Sequence, residues 1–89
     1  MYQSDESKRV QFYQSTAWRK LSRRWLTSNP ICQSCWQQGI IRKADVVDHI
    51  IELKDDWSRR LDETNLQSLC YKCHIEKTNK ERAKRKNKI

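Results

Sequence analysis

One glycine and one proline in 89 residues exclude a collagen-like repeat and a Gly/Ser-rich flexible chain. Long apolar runs are missing as well. The longest uninterrupted hydrophobic stretch is Leu69, Cys70, Tyr71, far short of the ~20 residues that span a bilayer, so no membrane partner is expected. The opening MYQSDESKRVQFYQ carries two early acids and lacks the apolar stretch of ~7 to 15 residues that a secretory signal needs. The expectation is a soluble, cytoplasmic chain. Acids are scarce too: 11 Asp plus Glu against 19 Lys plus Arg give a formal charge of +8, which suits a polyanionic partner.

What is present is a small chain with four cysteines. A domain of this size buries only about 60 to 65% of the surface exposed when unfolded, a thin margin against conformational entropy. A covalent or metal staple is therefore expected. Cys32 and Cys35 form one C-x-x-C pair, Cys70 and Cys73 a second, with 34 residues between them. Two such pairs can give four thiolates to one tetrahedral Zn2+. In a reducing compartment that reading leads over two disulfides or two redox pairs. A further rival is C-x-x-C-H over Cys70 to His74, the attachment signature of c-type haem; it would leave Cys32 and Cys35 without a role.

Between these landmarks, Trp18, Leu21, Trp25 and Leu26 recur at helical spacing and predict a helix from about Ser15 to Thr27, capped by Ser15 or Thr16 and stopped before Pro30. Trp18 and Trp25 are expected in the core, and Trp36, directly after a cysteine, over the metal site; Trp57 stays open between core and surface. Gly39 permits a turn, and Ile40 to Leu53, rich in Ile and Val, predicts a two-stranded hairpin bent near Lys43 to Asp45. Asp55 to Thr64 reads as polar loop, and Cys73 to Lys84 as a final helix. The domain is expected over residues 15–84, after an N-terminal segment 1–14 and before a basic tail 85–89.

Asp48 and His49 stand near the end of the predicted hairpin, Asn65 before the second cysteine pair and His74 just after it. An acid and a histidine can hold a divalent cation, and a metal-free histidine can take a proton from water. Equally, Asp48 and His49 suit ordinary hairpin positions and Asn65 a turn. Adjacent strand residues face opposite sides, so Asp48 and His49 share a site only where the strand ends, twists or bulges.

VDHI at Val47 to Ile50, with NLQSLCYKCHIEKT from Asn65 to Thr78 and C-x-x-C on both sides, resembles the HNH endonuclease family, especially its small phage-encoded members. The likeness runs from about Trp18 to Glu81 and departs at no catalytic position. It implies a small α+β fold, the ββα-metal core of a β-hairpin and a helix, with an N-terminal helix and a four-cysteine zinc staple. It also implies that Asp48 and His74 ligate a catalytic Mg2+, Mn2+ or other divalent transition metal. His49 would be the general base, Asn65 would fix the loop that orients it, and products would carry 5′-phosphate and 3′-hydroxyl ends.

DNA is then the expected substrate. Bases cluster between Lys8 and Arg24, where there is no acid, and between Lys77 and Lys88, where seven bases meet one acid. Arg19, Lys20, Arg23, Arg24, Arg82 and Lys84 are the candidate phosphate contacts. No residue set suggests base-specific reading, so nicking or low-specificity cutting is expected. The alternative is a non-catalytic zinc module that binds nucleic acid. By family analogy alone, a phage protein of this kind assists DNA packaging alongside the large terminase and portal.

Overall fold

In a computed structural model, the structure describes residues 5–86. Helix α1 (Asp5–Tyr13) lies within the segment set apart as 1–14 and buries Phe12. Helix α2 (Thr16–Ser28) follows almost at once. Ser15 joins the two, because its Oγ donates to the Phe12 carbonyl at 2.6 Å and accepts the Trp18 N–H at 3.2 Å, capping α2. The Asn29 N–H closes the other end on the Trp25 carbonyl at 2.8 Å, and Pro30 follows. A one-turn helix α3 (Gln33–Gln37) carries Cys35. Strands β1 (Val46–His49) and β2 (Leu66–Leu69) pair antiparallel, and α4 (Tyr71–Lys86) completes the chain. Of the basic tail, residues 87–89 lie outside the described residues.

The hairpin expected inside Ile40 to Leu53 is corrected. Only Val46–His49 of that stretch is strand, and its partner comes from beyond the polar loop, in the register Val46 to Leu69, Val47 to Ser68, Asp48 to Gln67 and His49 to Leu66. The isoleucine-rich part folds back elsewhere: Cys32 N–H bonds the Arg42 carbonyl and Ala44 N–H the Pro30 carbonyl, both at 2.8 Å. Gly39, at φ +79°, makes that return around the first cysteine pair. Ile40 and Ile41 are left exposed. β propensity was real in this stretch, but backbone partners were allotted by the cysteine loop.

The polar loop holds two short 3-10 turns, Trp57–Arg59 and Glu63–Asn65, each started by an aspartate. Asp56 accepts the Ser58 N–H at 3.1 Å and Asp62 the Thr64 N–H at 2.9 Å. Helix α4 begins two residues earlier than expected. The Tyr71 N–H is taken by the Asp45 carboxylate at 3.0 Å, a cap from 26 residues away that local pattern cannot reveal.

Two apolar clusters flank the sheet. Phe12, Trp18, Leu21, Leu53 and Leu66 form one, with Trp25, Val47 and Trp57 packed against it; the four cysteines and Leu69 form the other, with Val46. Strand alternation explains the split, since Val46 and Val47 face opposite sides. Trp18 and Trp25 lie where expected. Trp36 does not cover the cysteines: it is 61% exposed, because α3 is one turn long and turns Cys35 inward and its neighbour outward.

Candidate active site and cysteine cluster

The four Sγ atoms lie within 4.8 Å of one another, and all four residues are buried. Cys35 Sγ is 3.9 Å from Cys70 Sγ and 3.7 Å from Cys73 Sγ. Sulfurs about 2.3 Å from one tetrahedral ion stand about 3.8 Å apart, so the spacing fits a shared cation. All four cysteines are free thiols. The backbone N–H of Cys73 holds Cys70 down to about 7, whereas burial pushes Cys73 up to about 12 and raises Cys35. Buried thiols do not all ionise without a compensating cation. Arg42 adds a neighbouring positive charge: the Cys70 and Cys35 thiolates beside it raise its guanidinium above its ordinary value. Sequence reading did not single out Arg42, which becomes legible only when the 40s fold back over Cys32.

The other constellation gathers where β1 ends. β1 stops at His49, still paired in regular register. Asp48 faces α4, where its Oδ1 is 3.5 Å from His74 Nδ1 and its Oδ2 accepts from Gln67 Nε2 and Lys77 Nζ, each at 3.0 Å. His49 faces the first cluster, stacked on Trp18 at 4.8 Å between ring centroids. Both residues nevertheless line one cavity together with His74, Arg9, Tyr13 and Glu52. Termination of the strand lets neighbours on opposite faces meet at its open end.

His49 is 3% exposed, and its Nε2 lies 2.8 Å from the Arg60 carbonyl oxygen. A carbonyl only accepts, so Nε2 carries the hydrogen and Nδ1 keeps the lone pair. Burial lowers the His49 pKa below its ordinary value, against the opposing pull of the Arg60 carbonyl and Asp48. Asn65 is fully buried and clamps the turn after His49: its Oδ1 accepts from Ile51 N–H at 2.8 Å and its Nδ2 donates to Ile51 C=O at 3.0 Å. The Asn65 carbonyl also takes the Ile50 N–H at 2.8 Å.

His74 Nδ1 is buried and has no hydrogen-bond partner among the described residues. An orphaned imidazole nitrogen 3.5 Å from a carboxylate oxygen suits a shared divalent cation, with both atoms as ligands. Lys77 is the residue that sequence reading missed here. One turn beyond His74, it bonds Asp48 Oδ2, Glu81 Oε1 and the His49 carbonyl, each at 3.0 Å. Burial pulls this ammonium down, but its bonds to Asp48 and Glu81 outweigh burial and leave it above its ordinary value. The i, i+3 spacing from His74 was the only signal in the sequence.

None of the six candidate phosphate contacts lines this cavity. Arg19 and Arg23 border a depression with Trp18 and Asp45. Arg24 pairs with Glu63 at 3.1 Å. Lys84 lies beside Glu76 and Glu81 on α4, and Lys20 and Arg82 are exposed. Arg9 and Lys54 line the cavity with Asp48 and His49, and Lys8 lines an adjoining cleft that shares Arg9 and Lys54 with it.

Curated proteins provide no match to the chain. The HNH endonuclease family model matches residues 32–80, a span that holds all four cysteines and the Asp48, His49, Asn65 and His74 set. Among solved structures, the chain is similar to the HNH endonuclease of deep-sea thermophilic bacteriophage GVE2, crystallised with a manganese ion. Identity is 40% and the TM-score 0.82, over 89% of this chain and 87% of that one. The match covers more than half of the chain in sequence and nearly all of it in three dimensions: the chain belongs to the HNH endonuclease family, nucleases that hydrolyse phosphodiester bonds.

Proposed function

We propose that this nuclease is a divalent-metal-dependent DNA endonuclease with His49 as its general base and Asp48 and His74 as its metal ligands. The observation that carries this reading is the unpartnered His74 Nδ1, 3.5 Å from Asp48 Oδ1, in the cavity that His49 also lines. The manganese in the phage GVE2 enzyme supports Mg2+ or Mn2+ at this pair. When bound, such an ion supplies Lewis-acid stabilisation of charge on the phosphate and the departing oxygen.

The rest is done by the chain. The Arg60 carbonyl holds His49 as the Nε2-H tautomer, so Nδ1 takes a proton from the attacking water. The water oxygen forms the new bond to phosphorus, the P–O3′ bond breaks, the departing O3′ takes a proton from solvent water, and the products carry 5′-phosphate and 3′-hydroxyl ends. Asp48, adjacent to the base, favours the imidazolium that results. Asn65 acts through the turn at Ile51, as a positioning residue.

The sulfur spacing of the cysteine cluster supports Zn2+ as its ion, in a structural role. Cutting is proposed to be nicking or of low specificity. By likeness to a phage enzyme, the setting is the bacterial host cytoplasm, with large terminase and portal as partners in packaging. Among the described residues no helix is long and apolar enough to cross a membrane.

Relaxation of supercoiled plasmid in Mg2+, Mn2+ or EDTA, by the parent and by His49→Ala, tests the reading. Metal-dependent nicking that His49→Ala abolishes, with the cysteine-bound metal retained, supports it. Cleavage that survives in His49→Ala, or in EDTA, rejects it.

A further inference from the structure

We infer that Lys8, Arg9 and Lys54 form a backbone-phosphate track that leads the DNA strand into the Asp48, His49 and His74 cavity, an inference that rests on the nuclease reading above. The cavity shares Arg9, Leu53 and Lys54 with an adjoining cleft, whose further lining is Lys8 and Trp57. That cleft, about 390 Å³, has three cations and no carboxylate in its lining. Positive charge concentrated in a groove attracts phosphates far more than the same charge dispersed on an open face.

Trp57 shows which part of the DNA the track meets. Its indole is set edge-on against buried Phe12 at 5.7 Å. Lys8 Nζ lies over its ring at 4.4 Å from the centroid and the Arg60 guanidinium at 4.9 Å. The ring thus orients cations rather than waiting for a base. Contacts of this kind fix position along the strand and carry no sequence information. Arg60 also ties the track to the chemistry, since its carbonyl holds His49 Nε2 at 2.8 Å. The basic face of α2 differs: Arg19 and Arg23 border a depression shared with Asp45, and Arg24 is paired with Glu63.

The test measures binding of a fluorescein-labelled duplex by anisotropy across a salt series, without added divalent metal, using the metal-loaded full chain. A Lys8→Gln/Arg9→Gln/Lys54→Gln variant is compared with the parent and with Arg19→Gln/Lys20→Gln/Arg23→Gln. Each neutralised phosphate contributes about 0.9 to the slope of log affinity against log salt. The track variant is expected to lose between about 2 and 3 from that slope and to bind about 10- to 100-fold more weakly at low salt. The α2 variant removes the same charge and is expected to lose less than a third as much. Arg9→Gln and Lys54→Gln alone, each expected to lose about one unit, provide the reading if the triple variant fails to fold by circular dichroism. A parent that binds and cuts DNA while the track variants keep its slope overturns the track alone, as does an equal loss in the α2 variant. A parent that neither binds nor cuts DNA overturns the nuclease reading and the track with it.

Discussion

The Nε2 nitrogen of His49 sits 2.8 Å from the carbonyl oxygen of Arg60, and that bond decides which ring nitrogen is basic. Arg60 lies in the polar loop, 11 residues away, where nothing in its own side chain announces the role.

The base must be neutral to act, so acid should switch cleavage off. Burial places the His49 pKa below its ordinary 6.5, and a nearby divalent cation would push it the same way. The nicking rate at saturating Mn2+ should stay level from about pH 8 down to neutrality and fall only below the ordinary histidine range. Stability follows the same sign. The folded pKa is depressed, so this contribution is present above 6.5 and lost as pH falls through the lower folded value. Rates and melting temperatures measured from pH 5 to 8 check both, and a rate midpoint above 7 would contradict the burial argument.

Asn65 spans a turn that has no other support for the Ile51 peptide groups among the hydrogen bonds described. Asn65→Ala removes both partners of the Ile51 peptide groups, and these partly buried bonds are worth about 0.5 to 1.5 kcal/mol each. Asn65→Asp keeps the acceptor for Ile51 N–H but sets a carboxylate oxygen against the Ile51 carbonyl. Both variants should melt lower and, assayed well below their melting points, cut more slowly than the parent. Unchanged cleavage by a folded Asn65→Ala protein would remove Asn65 from the positioning role.

Lys77 bonds Asp48, Glu81 and the His49 carbonyl at once. Lys77→Met should reduce nicking at saturating metal by about 10- to 100-fold, the usual effect of losing a partner that orients a ligand. Removing a cation beside Asp48 should also move half-saturation to a lower Mn2+ concentration. Metal titration of cleavage and calorimetric Mn2+ binding separate the two effects. If neither parameter moves, the Lys77 bonds are incidental.

Metal loss should occur in two stages. A brief EDTA treatment removes the exchangeable ion at Asp48 and His74, stopping cleavage while helical circular dichroism persists. A thiol-reactive mercurial then releases about one further ion per chain, and the fold collapses, because a structural zinc contributes about 10 kcal/mol or more to folding. That estimate is large against the stability of a small domain. A chain that keeps its helical signal after the second stage would show that the cysteine cluster is not the staple.

Much of the donor chemistry was legible before any fold. The C-x-x-C spacing marked Cys32, Cys35, Cys70 and Cys73, which the structure gathers within 4.8 Å. Trp18 and Leu21 marked the buried face of α2, and Ser15 its cap. The strand partner was not legible, because Val46–His49 had a nearer apolar candidate in Ile40 and Ile41. The real partner lies beyond a polar loop, and Gly39 spends the 40s on the cysteine loop instead. Helix α1 was hidden too: a 9-residue helix is marginal alone and stands here on the packing of Phe12.

By itself the sequence determined what could react: four thiols in two pairs, an acid next to a histidine, a second histidine after the last cysteine, and an excess of positive charge. These follow from residue type and short spacing, which survive in any conformation. Tertiary structure alone decided what meets what. It ended β1 at His49, put the Arg60 carbonyl on Nε2, set Lys77 against Asp48, and brought Lys8, Arg9 and Lys54 to one cleft. Each of those contacts joins elements far apart in the chain. They exist because burying two small clusters against one two-stranded sheet leaves the polar groups at its open end a single shared space.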